Sequence, residues 1–145
     1  MSGDVKLKDV SAKNWRAIVR LKLAPDQNHL VADNLYSIAE SKFDLDARPR
    51  AVYADGQPIG FLMYDASDAV ASIYRFMIDR RQQGRGYGRA ALVLAISEIK
   101  AIPHVRTVAI SYMPDNKVAK AFYESLGFQE VGLDEDGEMM AELAL

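Results

Sequence analysis

Polar and apolar residues alternate along "DVKLKDV" (residues 4–10), the two-residue period of a half-buried strand. The spacing then becomes helical. Trp15, Ile18 and Leu21 or Lys22 recur every three or four positions, with Ser11 placed as a cap and Pro25 as a stop. A second helix is predicted over about 28–43, carrying Val31, Leu35, Ile38 and Ala39 on one side and Asp33, Ser37 and Glu40 on another. "RAVYA" and "PIGFLMY" flank Asp55-Gly56, a hairpin signal because glycine tolerates positive φ. "VASIYRFMID" is long, apolar and partly β-branched or aromatic, which suits a more central strand.

Beyond that strand, Leu92, Ala95, Ile96 and Ile99 mark the buried face of a helix that Pro103 ends, and "VRTVAISY" reads as a strand again. Strand, helix and strand form a crossover, so the two strands should be parallel. Pro114-Asp115 opens a last helix with apolar positions at Val118, Phe122 and Leu126 and a C-cap at Gly127. Two short strands around Asp136-Gly137 close the chain as a hairpin. The predicted order is β α α β β β α β α β β. This is an α+β (mixed α/β) fold, a mostly antiparallel mixed sheet of about seven strands with one parallel β-α-β crossover and four helices on its faces.

Composition narrows the function classes. A chain of 145 residues, half of them apolar, can bury one sizeable core, so a single domain spanning 1–145 is expected. The formal net charge of −2 argues against non-specific nucleic-acid binding. Without cysteine there is no disulfide, thiolate zinc site or thiol nucleophile, and the two histidines, His29 and His104, match no metal-ligand spacing, so no metal is expected. No apolar run approaches the roughly 20 residues that span a bilayer, and the start has no signal-peptide pattern. A cytoplasmic protein with no membrane partner is the default expectation.

"QQGRGYG" (residues 82–88) carries the most chemistry. A glycine loop between strand and helix offers free N–H groups at the positive end of the helix dipole, a cradle for phosphate. Arg80, Arg81, Arg85 and Arg89 crowd the same stretch. A tight turn with solvated arginines explains the glycines alone equally well. A P-loop is excluded, because Arg89 and Ala90 follow Gly88 where Lys and Ser/Thr are needed. The strict alternation of Gly84, Gly86 and Gly88, after several earlier elements, fits a dinucleotide fingerprint poorly.

Gln83-Gly84-Arg85-Gly86-Tyr87-Gly88 resembles the Gln/Arg-x-x-Gly-x-Gly/Ala signature of the GCN5-related N-acetyltransferases (GNAT). "PDNKVAKAFYESLGF" is similar to a second segment of that family through Asn116, Ala119, Tyr123, Gly127 and Phe128. Asn116, Ala119 or Lys120, and Tyr123 also share one helical face. The resemblance implies acetyl-CoA as co-substrate, with its pyrophosphate on the amides of residues 84–89 and its adenosine near Arg85, Arg89 or Lys120. Backbone groups of Phe76, Met77 and Ile78 would run beside the pantetheine. Tyr123 would be the general acid for the leaving thiolate, with direct attack by the amine and no protein nucleophile.

"NLYSIAES", "FLMY", "YRFMID" and "DGE" are similar to the bacterial spermine/spermidine (diamine) acetyltransferases. By that resemblance the small-molecule partner is a polyamine, gripped by Asp33, Tyr36 and Glu40 on helix 2 with Glu138, and Asp136 beside it, at an acidic entrance. The carboxylate pair Asp33 and Glu40, about two turns apart, reads otherwise as a solvated face. Tyr74 and Arg75 stand where some relatives carry a catalytic glutamate, so the base is a water chain ending at Glu40 or another acid. The alternatives are an acetyltransferase for another amine (aminoglycoside, amino acid or protein amine) and an acyl-CoA-binding module without catalysis. Many relatives form a homodimer, for which the sequence carries no interface signal.

Overall fold

The computed structural model describes residues 4–23 and 33–145. Elements run in the order β1 (Val5–Asp9), α1 (Trp15–Arg20), α2 (Asn34–Phe43), β2 (Ala47–Ala54), β3 (Gln57–Asp65), β4 (Val70–Ile78), α3 (Tyr87–Lys100), β5 (Thr107–Tyr112), α4 (Lys117–Ser125), β6 (Gln129–Leu133) and β7 (Met139–Ala144). The seven strands form one sheet in the order β1-β2-β3-β4-β5-β7-β6. All pairings are antiparallel except β4 with β5, as the crossover reading requires. The last strand inserts between β5 and β6, an arrangement the linear order of elements does not reveal. Among the described residues no helix is long and apolar enough to cross a membrane.

Each face of the sheet has its own core. Leu92, Ala95 and Ile99 of α3 pack with Val52, Leu62, Ile73, Val108 and Ile110, joined by Phe122 and Tyr123 of α4 and by Leu126 just after it. On the other face Ile18 and Leu21 cover Ala51, Phe61, Met63 and Met77, with Ile38 of α2 beside them. Asp55 and Gly56 both have positive φ, 51° and 80°, the backbone that a two-residue hairpin with right-handed strand twist demands.

Three local expectations are corrected, and a fourth falls outside the described residues. Ser11 is not the α1 cap: Asn14 occupies that position, and its Oδ1 accepts the Ser11 N–H. α1 ends at Arg20, and the expected stop at Pro25, with His29, Val31 and the helix start near residue 28, lies outside the described residues. α2 turns inward a strip that mixes the two predicted sides: Ser37 is fully buried, Asn34 nearly so and Ile38 packs against the core, while Leu35 is exposed. Val118 is 82% exposed, because α4 meets the core through Phe122 and Tyr123 instead, with Leu126 just after it.

Candidate functional site

β4 and β5 pair only from Val70↔Thr107 to Ser72↔Ala109, after which β5 continues against β7 as far as Tyr112. Beyond Ser72 the two strands diverge, leaving one edge of β4 unpaired toward the gap. The gap is a cleft of about 340 Å³, lined from β4 by residues including Tyr74, Arg75 and Phe76, from β5 by Ser111 and Tyr112, and from the α4 region by Asn116, Ala119 and Tyr123. Glu138, just before β7, completes the lining.

The glycine loop sits at the end of β4. Asp79 is buried there, its carboxylate accepting the Lys22 N–H at 2.9 Å and the Arg81 guanidinium at 3.0 Å, while its own N–H donates to Ile59. Burial opposes its ionisation, but these donors outweigh burial and hold the carboxyl below its ordinary pKa. The Gln83 side-chain amide donates to the Ile78 carbonyl at 3.0 Å. Gly84 and Gly86 then take left-handed φ values of 78° and 83°, a region costly to any residue with a Cβ. Gly86 is the N-cap of α3, whose first intrahelical bond is Ala90 N–H to Gly86 O at 3.1 Å. The N–H groups of Tyr87, Gly88 and Arg89 precede that bond and face out of the helix end. The Tyr87 ring is buried in the core, so only its backbone is available to a ligand.

Arg89 is tied to α4, donating to the Ser125 hydroxyl at 2.8 Å. Lys120 is held by Glu130 at 3.4 Å and Glu124 at 3.9 Å. Arg85 is exposed and has no partner among the described residues.

Asn116 caps α4 by accepting the Ala119 N–H at 3.0 Å, which orients the first turn of that helix toward the cleft. One and two turns on, Tyr123 is held by rings on three sides: Tyr112 stacks at 5.7 Å, and Phe122 and Phe128 meet it edge-on at 5.2 and 5.8 Å. Its hydroxyl has no hydrogen-bond partner among the described residues. Burial pushes its pKa up to about 12, so the phenol keeps its proton at neutral pH. Tyr112 behaves differently: burial and the hydrogen bond it donates to Glu130 at 2.6 Å raise its pKa, and that same bond, with Lys120, keeps Glu130 ionised. Neither Tyr112 nor Glu130 was singled out by sequence; the tyrosine ending "VRTVAISY" was the available signal.

On the acceptor side the sequence-predicted residues separate. Glu40 does not itself line the cleft; Arg75, which does, donates to its carboxylate at 3.4 Å and to the Ser37 hydroxyl at 3.2 Å. Asp33 instead serves as the α2 N-cap, accepting the Tyr36 N–H at 2.7 Å. Tyr36 points outward, 60% exposed, and neither it nor Asp33 lines the cleft. Glu138 does, and Asp134, Asp136 and Glu138 bring carboxylate oxygens within 4.8 Å of one another beside it. Three further carboxylates, Asp44, Asp46 and Asp65, cluster together. Burial, with Asp44 and Glu40 nearby, pushes the Tyr74 pKa up to about 12, and its hydroxyl is buried without a partner among the described residues.

A larger hollow, about 520 Å³, lies near Asp9, Arg48 and Ile102. Most of its polar groups pair with one another: Glu98 accepts from Tyr64 at 2.5 Å and from Arg50 at 2.8 Å, and Arg50 also pairs with Asp9, while Arg50 Nε is buried without a partner among the described residues. It offers no array of free donors comparable to the glycine loop.

The acetyltransferase (GNAT) family profile matches residues 12–128, a span containing both the loop and Tyr123. The chain belongs to that family. This acetyltransferase is 28% identical to the spermine/spermidine N(1)-acetyltransferase of Bacillus subtilis, over 96% of the chain and 99% of the relative. Its fold is similar to that of spermidine N-acetyltransferase from Vibrio cholerae in complex with CoA and spermine (TM-score 0.78, 17% identity, 97% of this chain and 95% of the other). It is also similar to an aminoglycoside acetyltransferase in complex with coenzyme A (TM-score 0.81, 17% identity, 97% and 95% covered).

Proposed function

We propose that this acetyltransferase transfers acetyl from acetyl-CoA directly to a primary amine of a polyamine such as spermidine or spermine. The observation that carries the transfer is the divergence of β4 from β5 beside Tyr123, with a glycine loop at one end of the same strand. In this reading the pyrophosphate lies on the amides of residues 84–89, with Arg85 free to meet phosphate or adenosine. The edge of β4 at Phe76, Met77 and Ile78, which no strand covers, extends beside the pantetheine as an added strand would, and an N–H there polarises the thioester carbonyl.

The amine lone pair attacks that carbonyl carbon and forms a C–N bond. Collapse of the tetrahedral intermediate breaks the C–S bond. Tyr123 gives its proton to the departing thiolate, and the proton lost by the amine leaves through water to Glu138 in the cleft wall or, past Arg75, to Glu40. Acetyl-CoA as donor fits the cytoplasmic location expected from the sequence.

The polyamine assignment is supported by the B. subtilis relative and by the carboxylates around Glu138. One observation favours a second reading. Arg75 lines the cleft, and a guanidinium there suits an acceptor that carries a carboxylate near its amine, such as an amino acid. A thiol-release assay with acetyl-CoA separates the two, using spermine, spermidine, amino acids, an N-terminal peptide and an aminoglycoside as acceptors. Turnover is expected with the polyamines; turnover confined to the others would reject the polyamine assignment and keep the acetyl transfer.

A further inference from the structure

Arg75 occupies the carboxylate that the polyamine reading assigns to substrate. Its guanidinium is only loosely engaged with Glu40: the contact is 3.4 Å, longer than an ordinary charge-assisted hydrogen bond, and the two side chains are 21% and 35% exposed. The same guanidinium has three other supports. It donates to Ser37 Oγ at 3.2 Å and to the Tyr74 carbonyl at 3.1 Å, and it lies 5.1 Å from the centroid of the Tyr74 ring. Withdrawing Glu40 therefore costs Arg75 one long contact out of four.

A β-bulge makes this arrangement. Met63 of β3 pairs with Arg75 while the next residue, Tyr64, pairs with Ile73, so β4 carries one extra residue, Tyr74, at the point where it leaves β5. Tyr74 packs in the α1/α2-side core, and Arg75 reaches Ser37 and Glu40 of α2 on that side too, instead of alternating away.

We propose that Arg75 is a built-in countercation for Glu40, which an ammonium group of the acceptor replaces on binding, so that Arg75 sets the affinity for polycationic substrates. The inference rests on the polyamine reading. In the free enzyme the pair keeps Glu40 charge-compensated; in the complex the substrate ammonium takes the carboxylate and Arg75 retains Ser37, the Tyr74 carbonyl and the Tyr74 ring. Arg75 is in this sense a specificity residue that raises the amine concentration needed for turnover.

Steady-state kinetics with spermidine and acetyl-CoA on the full chain test it. Arg75→Gln is expected to lower the spermidine KM roughly three- to fivefold, the scale of a partly exposed ion pair, with kcat changed less than about twofold and the acetyl-CoA KM unaltered. Arg75→Lys, which keeps the competing charge, should stay near wild type. Glu40→Gln should raise the spermidine KM, and by a larger factor in the Arg75→Gln background, because Glu40 no longer shares its charge there. A spermidine KM that is unchanged or raised in Arg75→Gln, or an identical Glu40→Gln effect in both backgrounds, overturns the inference. If Arg75→Gln does not fold, Arg75→Met, which retains the aliphatic stem, carries the same comparison. Wild-type enzyme that acetylates no polyamine rejects the functional reading itself, a result distinct from any ratio between variants.

Discussion

Tyr123 meets two requirements through its surroundings. The rings of Tyr112, Phe122 and Phe128 fix its position, and burial raises its pKa to about 12, further above neutral than an ordinary phenol, while its hydroxyl remains free of partners among the described residues. Tyr123→Phe preserves the ring packing and removes only the hydroxyl. It is expected to lower kcat by about a hundredfold or more, the usual scale for loss of a general acid, while coenzyme A affinity measured by calorimetry changes little. The pH dependence follows in sign. A phenol whose pKa is raised to about 12 is a competent acid at every lower pH. The acceptor amine, with a reference pKa of about 10.4, becomes a better nucleophile as pH rises. With both substrates saturating, kcat should therefore climb from neutral pH toward about pH 10 without a falling limb; a decline starting near pH 8–9 would remove Tyr123 from the role.

Among the elements, α3 and its preceding loop carry the strictest backbone demand. Gly86 sits at φ 83° as the cap of α3, so a β-branched side chain there is strained and must displace the first turn. Gly86→Val is expected to weaken coenzyme A binding at least tenfold by calorimetry while kcat at saturating acetyl-CoA falls less; unchanged affinity would separate the loop from the pyrophosphate. α2 shows what a periodic pattern misses. Its inward side carries Asn34 and Ser37 because other elements supply their partners: Asn34 Nδ2 donates to the Ile18 carbonyl beside the end of α1 at 2.9 Å, and Ser37 accepts from Arg75. Leu35 and Phe43 are left outside, 54% and 86% exposed. Polar groups can be buried when they are paired, and pairing between α1, α2 and β4 is not written in α2.

Across the whole molecule, Asp79 joins the segment after α1 to the end of β4, just where the glycine loop begins. Its carboxylate is 4% exposed and accepts from both Lys22 and Arg81. Because its folded-state pKa is depressed, its contribution is complete above the unfolded value of about 3.9 and disappears as pH falls through the folded value. Asp79→Asn should lower unfolding stability at pH 7 by about 1–3 kcal/mol, the cost of disrupting a buried charged hydrogen bond. The urea midpoints of variant and wild type should converge as the medium is acidified below about pH 4. A constant difference over that range would show that the carboxylate's ionisation is not what it contributes.

The local rules of the sequence determined the order of strands and helices, the Asp55-Gly56 hairpin, the parallel crossover, the glycine loop and the helical face bearing Asn116 and Tyr123. Each depends on residues close together in the chain: turn chemistry, side-chain period or a short spacing. Only the tertiary structure decided that β7 enters between β5 and β6, that a bulge aims Arg75 at Glu40, and that Asp33 and Tyr36 stay out of the cleft. Those outcomes depend on which strand edges meet and which buried polar groups find partners 35 or more residues away, as Arg75 finds Glu40. Linear spacing does not encode such pairings.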